Sequence, residues 1–102
     1  MQGTTDRHTY IFGESVMRVE IELDDYSKEK GVQLKWEEGY SVKVEKENNE
    51  ILIFANKEGL ISLANHLLSL AQEGVEKGTH IHLDEHNSLE EGSMDLIIEK
   101  VE

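Results

Sequence analysis

The chain has 102 residues, enough for one domain with one modest core, and its 37% apolar and 31% charged content suits a folded protein rather than a disordered tail. It contains no Cys, which excludes disulfides, thiolate zinc sites and a Cys nucleophile. Ten Lys and Arg stand against 22 Asp and Glu, a net charge of −12 with His neutral, which argues against a nucleic-acid ligand. The balance either simply keeps the chain in solution, the reading that charge alone favours, or attracts a basic protein partner.

The opening residues, Met1 to Arg7, carry no apolar run behind a basic patch and do not read as a signal peptide. The longest apolar run is five residues, Ile51 to Ala55, too short to cross a membrane. The expected compartment is the cytoplasm. With no Pro, no repeat and no linker, residues 1–102 read as a single domain with a ragged start over residues 1–8.

Thr9–Phe12 is a short candidate strand closed by Gly13. Met17–Asp24 then alternates apolar and polar without a break, the pattern of a strand with one buried face. Asp24–Gly31 reads as a loop or a single helical turn. Val32, Leu34 and Trp36 alternate with polar residues, Glu38-Gly39 makes a turn, and Tyr40, Val42 and Val44 alternate again, which predicts a hairpin. A second turn at Glu47-Asn48-Asn49 leads into Glu50–Ala55, apolar on both faces and therefore expected as a central strand. The apolar side of the hairpin places Trp36, with Tyr40 beside it, in the core rather than on an aromatic ligand platform.

From Leu60 to Ala71 the period changes. Leu60, Ile61, Leu63, Ala64, Leu67, Leu68, Leu70 and Ala71 fill half of a helical wheel, and Ser62, Asn65, His66, Ser69 and Gln72 fill the other half. This predicts a helix that buries its leucines, with Asn56 as N-cap and Gly74 as its stop. His66 lies on the polar arc and reads as a surface residue. Thr79–Asp84 and Met94–Val101 are two last strands, separated by a turn-like stretch from Glu85 to Ser93. The expected fold is therefore α+β in two layers: a mostly antiparallel sheet of about six strands with one long helix packed on one face and the other face wet.

The chemistry-bearing stretch is His80-Ile81-His82-Leu83-Asp84-Glu85-His86. On a strand, His80, His82 and Asp84 point to one side, with Ile81 and Leu83 packing beneath. These three with His86 are of the right type to ligate zinc or another divalent ion. The bland alternative is a row of solvated side chains that tune a binding surface near neutral pH. The spacing resembles the His-x-His-x-Asp-His signature of metallo-β-lactamases with one residue inserted, but that family needs a much longer chain. There is no Gly-x-Gly-x-x-Gly, no Gly-Lys-Ser/Thr loop and no Gly-x-Ser-x-Gly.

The second half of the chain resembles a known family. Glu58-Gly59-Leu60, Leu63-Ala64, Leu67, then Gly78–Asp84, Leu89, and Gly92-Ser93 before Leu96-Ile97-Ile98 together resemble the immunity protein 32 family of bacterial polymorphic-toxin systems. The resemblance implies a non-enzymatic, cytoplasmic antitoxin that binds and blocks a cognate toxin domain, such as a nuclease, and needs no cofactor.

Three readings follow. The first is an immunity protein or inhibitor whose acidic surface meets a basic toxin through His80, His82, Asp84, Glu85 and His86. The second is a metal-binding protein or small metal-dependent enzyme using His80, His82, Asp84 and His86. The third is a structural subunit that forms a homodimer through an exposed strand edge.

Overall fold

The computed structural model of the chain describes Arg18 and residues 20–102. Their elements run β1 (Val42–Glu47), β2 (Glu50–Ala55), α1 (Lys57–Leu70), β3 (His80–Leu83) and β4 (Leu96–Glu99). The fold is α+β, as the sequence predicts. The described residues form four strands rather than about six, in two separate antiparallel pairs, β1–β2 and β3–β4, rather than in one sheet.

The two predicted strands that fail do so for one reason. Among the described residues, 20–24 and 32–37 pair with no strand, and side chains of the helix and of Gln72 just after it take up their backbone groups. Glu37 N–H donates to Ser62 Oγ at 2.8 Å, and Asn65 Nδ2 donates to the Glu22 carbonyl at 3.1 Å. Gln72 Nε2 donates to the Asp24 carbonyl, and Gln72 Oε1 accepts from Tyr26 N–H, both at 3.2 Å. The alternation is still real: Ile21 and Leu23 are half-buried while Glu20, Glu22 and Asp24 are exposed. Period two reports a buried side and says nothing of what the backbone bonds to. The candidate strand at Thr9–Phe12 lies outside the described residues.

The helix is therefore partly turned relative to its sequence expectation: its polar arc goes inside, while Leu63 and Leu70 of the apolar arc stay packed. Ser62, Asn65, His66 and Ser69 are buried, whereas Leu60 is 58% exposed and Ile61, Leu67 and Leu68 are also exposed. His66 is fully buried at 0% exposure rather than at the surface. Its Nε2 lies 3.1 Å from the Lys35 carbonyl, so that nitrogen carries the proton, and Nδ1 has no partner. Its ring meets the Trp36 ring edge-on at 4.2 Å, and Trp36 stacks on Tyr40 at 4.1 Å. Trp36 and Tyr40 pack on the core as expected.

The start of α1 is fastened to the β1–β2 hairpin. Asn56 caps it as predicted, with Oδ1 accepting from Gly59 N–H at 2.8 Å and from Ser41 N–H at 3.0 Å, and Nδ2 donating to the Gly39 carbonyl at 2.9 Å. Gly59 is buried against β1: a Cβ there would meet the Ser41 carbonyl oxygen and lie 2.8 Å from Val42 Cγ2. The helix ends at Leu70, before the expected Gly74, where the Ala71 N–H is shared between the Leu67 and Leu68 carbonyls.

Val42 and Val44 of β1 meet Leu83 of β3 and Leu89 of the following turn in the core, with Leu34, Ala55, Leu63 and Leu96 around them. The hairpin register pairs Val42 with Ala55 and Glu47 with Glu50. Asn48, with φ of +57° at the first turn position, gives the form of a II′ turn. On its other side β1 is flanked by residues 90–94, since Glu90 N–H donates to the Val42 carbonyl and Met94 N–H to the Val44 carbonyl, each at 2.9 Å. Among the described residues β2 is thus an edge strand, not a central one.

Two tests follow. Gly→Ala inside a free helix gains up to about 1 kcal/mol, but Gly59→Ala must push the helix off β1. Chemical denaturation is expected to show a loss of about 1–3 kcal/mol, and a gain would show that the helix start is not held against Ser41 and Val42. The second concerns His66, whose pKa is lowered from the usual 6.5 by desolvation, only partly opposed by its bond to the Lys35 carbonyl. Because the unfolded chain takes up that proton first, its contribution is complete above pH 6.5 and is lost as pH falls through the lowered folded value. Thermal midpoints measured from pH 7.5 down to about 5 should fall in the wild type and fall less in His66→Phe; equal slopes would remove His66 as the cause.

Candidate functional site

β3 and β4 pair in the register His80↔Glu99, Ile81↔Ile98, His82↔Ile97 and Leu83↔Leu96. Ile81 and Leu83 face inward and are buried, and His80 and His82 stand in an outer row with Ile97 and Glu99, all exposed. The alternation in His80–Leu83 is borne out here residue by residue.

The turn after β3 is built by Asp84 and Asn87. Asp84 Oδ1 accepts from the N–H of His86 at 2.8 Å and of Asn87 at 3.0 Å. Asn87 returns the constraint: its Oδ1 accepts from Asp84 N–H at 3.0 Å and its Nδ2 donates to the His82 carbonyl at 2.9 Å. The Asp84 carbonyl accepts from Leu89 N–H at 2.9 Å, which seats Leu89 in the core. The turn is closed from outside by Glu85, whose Oε1 accepts from Gly92 N–H at 3.2 Å. Tyr40 donates its hydroxyl to the Ser88 carbonyl at 2.9 Å, and Val44 N–H donates to Ser93 Oγ at 3.1 Å, so residues 84–93 are tied to the β1–β2 hairpin.

With Oδ1 of Asp84 held by backbone, its Oδ2 is left 3.8 Å from His82 Nε2. Asp95 Oδ2 lies 2.9 Å from the same nitrogen. Among the described residues, His82, Asp84 and Asp95 form the group able to present three ligand atoms to one ion, all within 4.8 Å of one another. His80, beside Glu99, and His86, in the turn, are not in that group. The predicted quartet thus contributes two residues, and the third comes from Asp95. Asp95 was missed because only the β3–β4 register, closed across the turn at 84–95, brings it beside His82. Nothing in its own spacing marks it.

A shallow groove crosses the hairpin next to this turn. Its lining includes Ser41 and Lys43, Ile53 to Asn56, and Glu90 and Glu91. Lys43 in that lining lies 3.0 Å from the Glu45 carboxylate. Among the described residues no helix is long and apolar enough to cross a membrane.

These features define a small α+β protein whose exposed His and carboxylate side chains are carried by one strand and the turn behind it. The family it belongs to is Immunity protein 32, whose profile matches residues 50–101, half of the chain, from β2 through β4. The chain matches no curated protein and no solved structure.

Proposed function

We propose that this chain is an immunity protein that binds a cognate toxin domain and blocks it. The family match over β2, α1, β3 and β4 carries the reading, because it covers the helix joint, the His80–Leu83 strand and the acidic turn together. The toxin is a basic domain, such as a nuclease, and the surface that meets it comprises His80, His82, Asp84, Glu85 and His86 with the neighbouring Glu90 and Glu91. A net charge of −12 supports this, since opposite charge on the partner accelerates encounter and carboxylates compete for a site built for phosphate. The protein acts without catalysis or cofactor, in the cytoplasm, where the toxin arrives.

The test is co-expression with the C-terminal domain of the protein encoded beside this chain's gene. A stable complex and survival of cells making that domain are expected, and neither would appear if the reading is wrong. Glu85→Lys combined with His86→Ala should slow association about tenfold at low salt, with the difference shrinking as salt rises; an unchanged rate would move the contact away from this turn.

A second reading rests on the geometry of His82, Asp84 and Asp95, which suits a divalent cation bound by one imidazole and two carboxylates. Titration with zinc followed on the imidazole signals is expected to shift His82 and spare His80 and His86, and Asp95→Asn should abolish the shift. A uniform response of all three imidazoles, or none, would leave the row as solvated side chains.

A further inference from the structure

The β1–β2 register determines which backbone groups of β2 face outward. Asn56 N–H donates to the Ser41 carbonyl, so 41 and 56 are a hydrogen-bonded pair, and by alternation so are 43 and 54, 45 and 52, and 47 and 50. Glu50, Leu52 and Phe54 therefore spend their N–H and C=O groups on β1. Ile51, Ile53 and Ala55 turn theirs the other way, and among the described residues nothing pairs with them. The opposite side of the hairpin is covered by residues 90–94. β2 is thus a six-residue edge with Ile51 57%, Ile53 47% and Phe54 53% exposed. Only Glu50 carries a charge on it, and it has no Pro and no bulge, the devices that usually blunt such an edge.

The charges on the outer face at the turn end of that edge are acidic. Glu47 and Glu50 stand directly opposite each other on the outer face, both exposed, a pairing that is unfavourable until a cation joins it. Lys43 on the same face is occupied by Glu45, and Lys46, opposite Ile51, stands on the other face. Glu90 and Glu91 line the groove from the far side of β1, away from this edge.

We infer that the toxin docks by adding a strand to the open edge of β2. The occupant is an extended segment carrying Lys or Arg among apolar side chains. Its backbone pairs with Ile51, Ile53 and Ala55, its alternating side chains cover Ile53 on one face and Phe54 on the other, and its cations answer Glu47 and Glu50 at the turn end. This rests on the immunity reading and adds the β2 edge to the turn that reading names. Charge selects the partner over a second copy of this chain, which would bring the same carboxylates to the same edge.

Proline supplies a selective variant. At Ile53 it removes an N–H that the hairpin does not use, so Ile53→Pro should keep the fold and block pairing. Against the toxin domain encoded beside the gene, Ile53→Pro is expected to bind at least about tenfold more weakly, a loss of about 1.4 kcal/mol, with its circular dichroism unchanged. Hydrogen exchange on the wild type reads the same edge without any substitution, and decides the matter should the variant not fold. In the free chain the amides of Ile51, Ile53 and Ala55 should exchange at least about tenfold faster than those of Leu52 and Phe54, and the toxin should slow the first three. A toxin complex in which those amides exchange as before, or in which Ile53→Pro binds as the wild type does, overturns the edge and leaves the immunity function standing. Absence of any complex overturns that function as well. Protection of the three amides in the free chain, with a dimer's mass by light scattering, would give the edge to a second copy instead.

Discussion

The polar arc of α1 decides the rest of the architecture. Ser62, Asn65 and His66, with Gln72 just past the helix, hydrogen-bond the backbone of residues 20–26 and 35–37, two stretches that pair with no strand among the described residues. Unpaired backbone groups inside a protein cost about 1–3 kcal/mol each, so leaving all of these unmade would cost more than burying the remaining exposed part of four apolar side chains gains. The helix therefore turns its amides and hydroxyls inward and leaves Leu60, Ile61, Leu67 and Leu68 outward. His66 is the sharpest case: it gives one nitrogen to the Lys35 carbonyl, lies against Trp36, and tolerates burial by staying neutral.

That arrangement leaves the strands to cohere by other means. Asn56 and Gly59 fasten the helix start to the β1–β2 hairpin, the first through three hydrogen bonds and the second by having no side chain to hold the backbones apart. The long turn between β3 and β4 does the same for the second hairpin, through Leu89 in the core and Tyr40 and Ser93 at its flanks. Two small sheets share one core because loops join them, and neither sheet is completed by a neighbour on both sides. The open side of β2 and the exposed row of β3 are consequences of that economy.

The two surfaces favour one kind of partner. The outer row of β3 and its turn display His82, Asp84, Asp95 and Glu85. The groove beside them carries Glu90 and Glu91 along with Phe54, and beyond it lies the β2 edge. Carboxylates around apolar side chains suit a cationic protein segment that also has apolar residues to bury. Nucleic acid would be repelled by the same charges.

The sequence by itself determined the α+β class, the single helix with Asn56 at its start, the Asn48-Asn49 turn, the Ile81–Leu83 packing under His80 and His82, and the family, because each rests on local pattern or on an ordered set of residues within half of the chain. Only the tertiary structure decided which half of the helical wheel goes inside, since a wheel shows two faces and the partner chooses between them. It also decided that Val32–Glu37 stays unpaired, that β2 is an edge, and that Asp95 joins His82. Pairing is a relation between residues distant in the chain: His82 and Asp95 meet through a register that no window of sequence contains, and Ile51–Ala55 looks equally apolar whether a strand covers one of its sides or both.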